Sequence, residues 1–78
     1  MTNRKTTQAK NVEFQAIEFD RAGEAIQYAQ AAGKGEAVLL DGKNLVVDTA
    51  VAEQLAAAGV GFAYLCEHKK HIVTVPVN

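Results

Sequence analysis

The chain repeats itself after 26 residues, and this repeat limits the possible folds more than any other feature of the sequence. Residues 24–48 align with residues 50–74 without a gap, and the order Ala-Ala-Gly-x-Gly-x-Ala-x-Leu occurs at 31–39 and again at 57–65. An alanine-rich helix end, a glycine and then an apolar run are typical of a helix, a left-handed stop and a strand. The repeat therefore predicts two copies of an α-β-β unit.

Helical spacing of apolar residues and the capping preferences of polar ones place the two helices. The first is expected to follow Asp20 and to end at Gly33, and the second to begin at Asp48 or Thr49 and to end at Gly59. Both glycine pairs, at 33–35 and 59–61, lie at helix C-termini, where the helix dipole is negative, so they are interpreted as stops rather than phosphate loops.

Strands are predicted between and around these helices. Residues 12–19 alternate and then change phase, which indicates a bulge or a strand contacted on both faces. Asp41-Gly42 predicts a two-residue type I′ turn between strands at 36–40 and 44–47. A second hairpin, 60–66 with 71–75, is expected to close through a four-residue turn that pairs Cys66 with His71. Pro76 ends the last strand or marks an edge.

The resulting order is β-α-β-β-α-β-β, which places the protein in the α+β class. Its first six elements match the split βαβ arrangement of ferredoxin-like folds. By analogy with that topology, we expect an antiparallel-rich sheet with two helices on one face, extended by the final strand. Fold topology of this kind says nothing about function, because many unrelated functions share it.

Length and charge fix the domain organisation that we expect. The chain has 78 residues, which suits one domain, assigned to 12–78. Residues 1–11 contain three basic residues, no acid and almost no aliphatic side chain, so they are predicted to be a disordered basic tail. No apolar run is long enough for an export signal or a membrane helix, and a single cysteine suits a reducing compartment. A cytoplasmic protein with no membrane partner is the expectation.

Aliphatic residues are predicted on both faces of the sheet, and this indicates self-association. If both helices cover the bulkier face, the opposite face carries seven apolar or small residues: Ala37, Leu39, Val46, Ala63, Leu65, Ile72 and Thr74. A patch of this size is rarely left in water. A two-fold contact with a second copy needs only one self-complementary patch, so a homodimer through this face is expected. The alternatives are that the N-terminal segment or an extra strand covers the face, or that a different protein does.

One cluster could bind a transition metal. Cys66, His68 and His71 fall within six residues at the tip of the second hairpin. A thiolate and two imidazoles suit zinc or copper. The competing interpretation is a packed cysteine and two solvated histidines, with no cofactor. A core-facing thiol is usually inert, so nucleophilic catalysis is not expected, and the protein is predicted not to be an enzyme.

Basic residues near the predicted hairpin tips and in the tail suggest a weaker alternative. These are Arg4, Lys5, Lys10, Lys43, Lys69 and Lys70. Together they could form a positive rim for single-stranded nucleic acid, but no exposed aromatic residues accompany them for base stacking and the rest of the chain is acidic. The sequence therefore supports three hypotheses about function: a self-associating module of unassigned role, a metal-binding module, and a nucleic-acid-binding accessory protein.

Overall fold

A computed structural model describes residues 3–78 and has an α+β fold, as predicted. Six strands form one open sheet in which every neighbouring pair is antiparallel, in the order β1-β2-β4-β3-β5-β6. The elements are β1 Asn3–Ala9, β2 Val12–Phe19, α1 Ala22–Ala32, β3 Glu36–Leu40, β4 Lys43–Val47, α2 Thr49–Ala57, β5 Phe62–His68 and β6 His71–Val77.

The N-terminal segment is a strand, which corrects the prediction of a disordered tail over 1–11. β1 pairs with β2 from Asn3↔Glu18 to Ala9↔Val12, so each of its residues has a cross-strand partner. The composition argument failed because it counted only side-chain burial, whereas the backbone ladder of β2 orders a polar segment that contains β-branched threonines. Met1 and Thr2, the rest of that predicted tail, lie outside the described residues.

Of the two hairpin turns predicted from the sequence, the first is confirmed and the length of the second is wrong. Asp41 and Gly42 both have positive φ, and Leu40 pairs with Lys43, as the type I′ prediction requires. The β5–β6 turn is shorter than predicted: Lys69 and Lys70 alone form it, with φ of 51° and 66°.

The tighter β5–β6 turn shifts the register by two residues. His68 therefore pairs with His71, and Cys66 pairs with Val73 instead of His71. Left-handed lysines cost roughly 1–2 kcal/mol each, but this turn extends the ladder to the end of both strands. Because the shift is even, every side chain keeps its predicted face.

The helices cover opposite faces of the sheet, which corrects the prediction that both lie on one face. A split βαβ fold would place β5 beside β2, but β5 pairs with β3 instead. β2 and β3 are parallel, as are β4 and β5, and the two crossovers move in the same direction across the sheet from oppositely oriented strands. Since such crossovers are right-handed, the two helices must lie on opposite faces.

Two clusters of buried residues follow from this arrangement. The cluster under α2 is the larger: Val12, Phe14, Ala16, Val38, Leu40, Leu45, Val47, Ala52, Leu55, Val60 and Phe62. The cluster under α1 contains Ile17, Ala25, Ile26, Ala37, Val46 and Leu65. β2 contributes to both, so the predicted strand contacted on two faces is confirmed, and its pairing with β1 runs without a bulge.

The first hairpin folds over the α2 face beside that helix. β2 pairs with β4 only through Ile17–Phe19, and its earlier residues pack into the α2 cluster. Lys10, in the β1–β2 turn, donates a hydrogen bond of 2.7 Å to the carbonyl of Gly59, just beyond the C-terminus of α2. The sheet therefore curls around α2 and leaves its two edge strands, β1 and β6, as the open margins.

The predicted association face is for the most part an interior surface. Ala37, Val46 and Leu65 are buried in the α1 cluster, Leu39 packs against it, and Ala63 is half-buried. Of that set, Ile72 and Thr74 on β6 are exposed, and the Ile72 side chain reaches Gly23 in α1. The expectation of a bare face between Ala37 and Leu65 is wrong because α1 occupies it.

The N-termini of the two helices differ from the prediction in two details. α1 is capped at Arg21 instead of Asp20, and neither Arg21 nor Asp48, the N-cap of α2, makes a side-chain capping bond. Gly33 and Gly59 both have positive φ, as helix stops should. The 26-residue repeat is not established by the fold, because the two α-β-β segments pack their helices on different faces.

Gly35 is required for a close approach and does not act as a second stop. Its φ is 89°, and a Cβ placed on it would lie 3.0 Å from the Val47 carbonyl oxygen. We expect Gly35→Ala to lower the free energy of unfolding by about 1–3 kcal/mol in urea denaturation, through backbone strain and this contact. Gly33→Ala is the matched control, since its φ is 70° but nothing lies within 4 Å of the added Cβ. Equal losses for the two variants would contradict the close approach.

Candidate functional site

The exposed large hydrophobic residues of the described chain all lie on β6. Ile72 is 47% exposed, Val73 is 42% exposed and Val75 is 50% exposed. β6 is the last strand of the sheet, with β5 on one side and no strand on the other among residues 3–78. Neither helix reaches it far enough to cover these side chains. We call residues 71–75 of this strand, with their unpaired outer backbone, the β6 edge.

Both faces of the β6 edge are apolar. Ile72 points to the α1 face, while Val73 and Val75 point to the α2 face, opposite Cys66 and Tyr64. Residues 71–78 contain no Asp, Glu, Lys or Arg. A strand with these properties offers backbone donors and acceptors together with an apolar surface, which is the arrangement that another strand can pair with.

The opposite edge of the sheet is built differently. β1 has no large hydrophobic residue among Arg4–Ala9, and it carries two basic residues. Lys5 forms an ion pair of 3.2 Å with Glu18 of the neighbouring strand. Charged side chains on an edge strand hinder pairing with a second chain. The two margins of the sheet are therefore unequal, and β6 is the one without such protection.

The three predicted metal ligands share one face but do not form a ligand set. Cys66 and His68 are two residues apart on β5, and His71 is directly opposite His68. All three are exposed. Among the described residues, no group of three or more His, Cys, Asp or Glu side chains is arranged to hold a metal ion. The predicted pairing of Cys66 with His71 is replaced by Cys66 with Val73.

The predicted nucleic-acid residues are scattered. Because β3 and β5 are antiparallel neighbours, the turn after β3 and the turn after β5 lie at opposite ends of the sheet. Lys43 therefore lies far from Lys69 and Lys70. Lys5 and Lys10 are occupied by Glu18 and the Gly59 carbonyl. The continuous positive rim that the hypothesis needs is not formed.

Two of the open cavities in the surface of residues 3–78 are similar in size. One, of about 300 Å³, lies between the end of α1, the middle of β2 and the start of α2. The other, of about 320 Å³, lies between β1 and the β3–β4 turn. Among the described residues no polar or charged side chain is buried, so neither cavity contains a desolvated acid or base.

The β6 edge is the feature that sequence analysis missed. Because residues alternate along a strand, Val73 and Val75 lie on the face opposite Ile72 and Thr74, which is the bulkier face that the prediction assigns to the helices. Their exposure follows from the position of β6 at the margin, beyond the reach of α2. The available signals were an apolar strand with no charge on either face and Pro76 near its end.

Comparison with protein-family models, with curated proteins and with solved structures finds no match to this chain. Neither α1 nor α2 has the length and continuous apolar character that a membrane crossing requires.

Proposed function

We propose that this chain is a small, non-enzymatic self-associating module, and that two copies pair through the β6 edge. The observation that carries the proposal is the confinement of the exposed large hydrophobic residues, Ile72, Val73 and Val75, to one uncharged edge strand. Burying a side chain of this size contributes about 1.5–3 kcal/mol, which favours a partner over water. We place the module in the cytoplasm, since the exposed thiol of Cys66 persists in a reducing compartment.

A second copy is the partner that fits this strand best. An antiparallel pair of identical strands is isologous, so every donor and acceptor on one β6 edge meets its equivalent partner on the other. Self-pairing brings no like charges together, because residues 71–78 carry none. Pairing two β1 strands would instead bring Arg4 and Lys5 of each copy close together, and like charges opposed across a pair are destabilising.

The expected dimer is a continuous twelve-stranded sheet with a small interface. With Val73 near the two-fold axis, Ile72 of one copy faces Thr74 of the other on the α1 side, and His71 faces Val75 on the α2 side. Pro76 lacks a backbone donor and limits the pairing to residues 71–75. A single-strand contact of this kind falls below the roughly 1,200 Å² of standard interfaces, so we expect a concentration-dependent dimer rather than a permanent one.

We expect Val73→Lys to weaken association strongly while leaving the monomer folded. The side chain is 42% exposed in the monomer, so lysine is tolerated there, but in the dimer two ammonium groups would oppose each other near the axis. The dissociation constant should rise by at least about tenfold, as expected for the loss of one buried valine. Sedimentation velocity over a concentration series measures this change.

The matched control places the same charge on the other margin of the sheet. Thr6→Lys, on exposed β1, should leave the dissociation constant of the wild-type protein unchanged. A wild-type chain that sediments at 8.3 kDa at every concentration would overturn self-association itself. If Thr6→Lys weakens association and Val73→Lys does not, the two copies pair through β1 instead of β6, and the proposal fails.

A further inference from the structure

The cavity of about 300 Å³ forms where the central pairing of the sheet ends. β4 pairs with β2 only as far as Val46↔Ile17, and the chain then leaves the sheet at Val47 to enter α2. The preceding residues of β2 keep β1 as their strand partner, so a notch opens beside them. Its volume is at the lower limit of small-ligand sites, which span about 300–1,000 Å³.

The base of the cavity is apolar and rigid. Ile17, Val46 and Val47 line it, each buried and each held by strand pairing. Val51 in the first turns of α2 adds a further apolar wall. Gly35 also lines the cavity, and it lies so close to the Val47 carbonyl that a side chain there would meet that oxygen. These residues can accommodate the hydrocarbon part of a small molecule.

Polar groups from five separate segments converge around this apolar base, among them Gln15 of β2. Arg4 comes from β1, Lys34 from the loop after α1, Asp48 from the start of α2, and Tyr28 from α1, where its ring packs at a tilt against Phe19 with a centroid distance of 5.4 Å. Within residues 3–78, Arg4, Lys34 and Asp48 form no ion pair with each other or with any other side chain. Lys5 and Lys10, by contrast, are already engaged.

We infer that this cavity binds a small monocarboxylate with an apolar body. The lining has two cations and one anion, so a single negative charge on the ligand neutralises it. The guanidinium of Arg4 can accept a carboxylate in a two-bond arrangement, and Lys34 supplies a second charge. Asp48 repels a dianion such as phosphate more strongly than a monoanion. The hydrocarbon part of the ligand lies on Ile17 and Val46.

Sodium benzoate is a suitable probe, with neutral benzamide as its uncharged counterpart and inorganic phosphate, used above its second pKa so that HPO₄²⁻ prevails, as the dianion. We expect benzoate, titrated at constant ionic strength, to shift the amide resonances of Gly35, Val47 and Val51 to saturation in ¹⁵N-HSQC spectra. Benzamide and phosphate at equal concentrations should leave them in place. Lys34→Gln, a change in an exposed loop, and Arg4→Gln should each weaken benzoate binding about tenfold, as the loss of a charge-assisted contact predicts.

Two further variants make the result decisive. Lys43→Gln removes a cation of the β3–β4 hairpin that does not line this cavity, and it should leave benzoate binding unchanged. Asp48→Asn keeps a residue able to cap α2 but removes the repelling carboxylate, so benzoate should bind more tightly and phosphate should begin to bind. Shifts that are dispersed over the spectrum, equal for benzamide, or unaffected by Lys34→Gln would overturn the assignment. The test is independent of self-association, because the β6 edge does not contribute to this cavity.

Discussion

Leu65→Glu is expected to unfold the protein rather than to separate a dimer into folded monomers. Leu65 is 7% exposed and packs in the α1 cluster with Ala37 and Val46. An uncompensated charge at a buried position costs about 3–5 kcal/mol, and the lost leucine packing adds to this. A chain of 78 residues has a total stability of about 4–12 kcal/mol. Circular dichroism and urea denaturation measure the loss directly.

Ile72→Glu is the matched control for that result. Ile72 lies on the same face of the sheet, but it is 47% exposed, so a carboxylate there remains in water. We expect this variant to fold, with a loss of stability below about 1 kcal/mol, and to associate less strongly. If Leu65→Glu remained folded and monomeric instead, the position of α1 on this face of the sheet would be contradicted.

The contrast between these two positions shows what local patterns can predict. Strand alternation correctly placed Leu39, Val46 and Leu65 on one face. α1 covers that face. Whether α2 lies on the same face or on the opposite one depends on whether β5 joins the sheet beside β2 or beside β3, because the right-handed crossover then sends α2 to one side or the other. No residue in 48–61 encodes that choice locally. It is decided by how the whole sheet closes around the α2 cluster.

The two hairpin turns also show that a local sequence pattern does not always determine the local structure. Asp41-Gly42 is a recognised type I′ pair and was predicted correctly. Lys69-Lys70 has no such signature, since lysine disfavours positive φ, and only the full pairing of β5 with β6 holds both residues there. The two-residue shift in register replaces the predicted pair of Cys66 and His71 with the pairs Cys66–Val73 and His68–His71.

Edge strands are the third class of feature that the sequence predicted poorly. β1 was missed because its backbone pairing, and not its side chains, orders it. The exposure of β6 was missed because it depends on the reach of α2, a helix of nine residues. The cavity beside Arg4 and Lys34 has no sequence signal, because its residues come from β1, β2, α1 and the loop after it, β4 and α2, and meet only after the sheet has curled.

Leu55→Ala is expected to cause the largest loss of stability of any simple truncation on α2. Leu55 is fully buried at the centre of the α2 cluster, between the helix and the strands. Removing a leucine side chain from such a site costs about 2–5 kcal/mol, through lost burial and the cavity left behind. For a domain of this size, the midpoint of urea denaturation should fall steeply, with an unchanged m-value if unfolding stays two-state.

Leu39→Ala tests whether the α2 side is the main core. It makes the same chemical change on the α1 face, at a side chain that is half-buried, so the expected loss is clearly smaller. Neither leucine belongs to the β6 edge, so at concentrations where both variants remain folded, the dissociation constant should match that of the wild type. Equal destabilisation by the two variants would mean that the α1 cluster contributes as much as the α2 cluster. The first hairpin would then fold over α2 for a reason other than core formation.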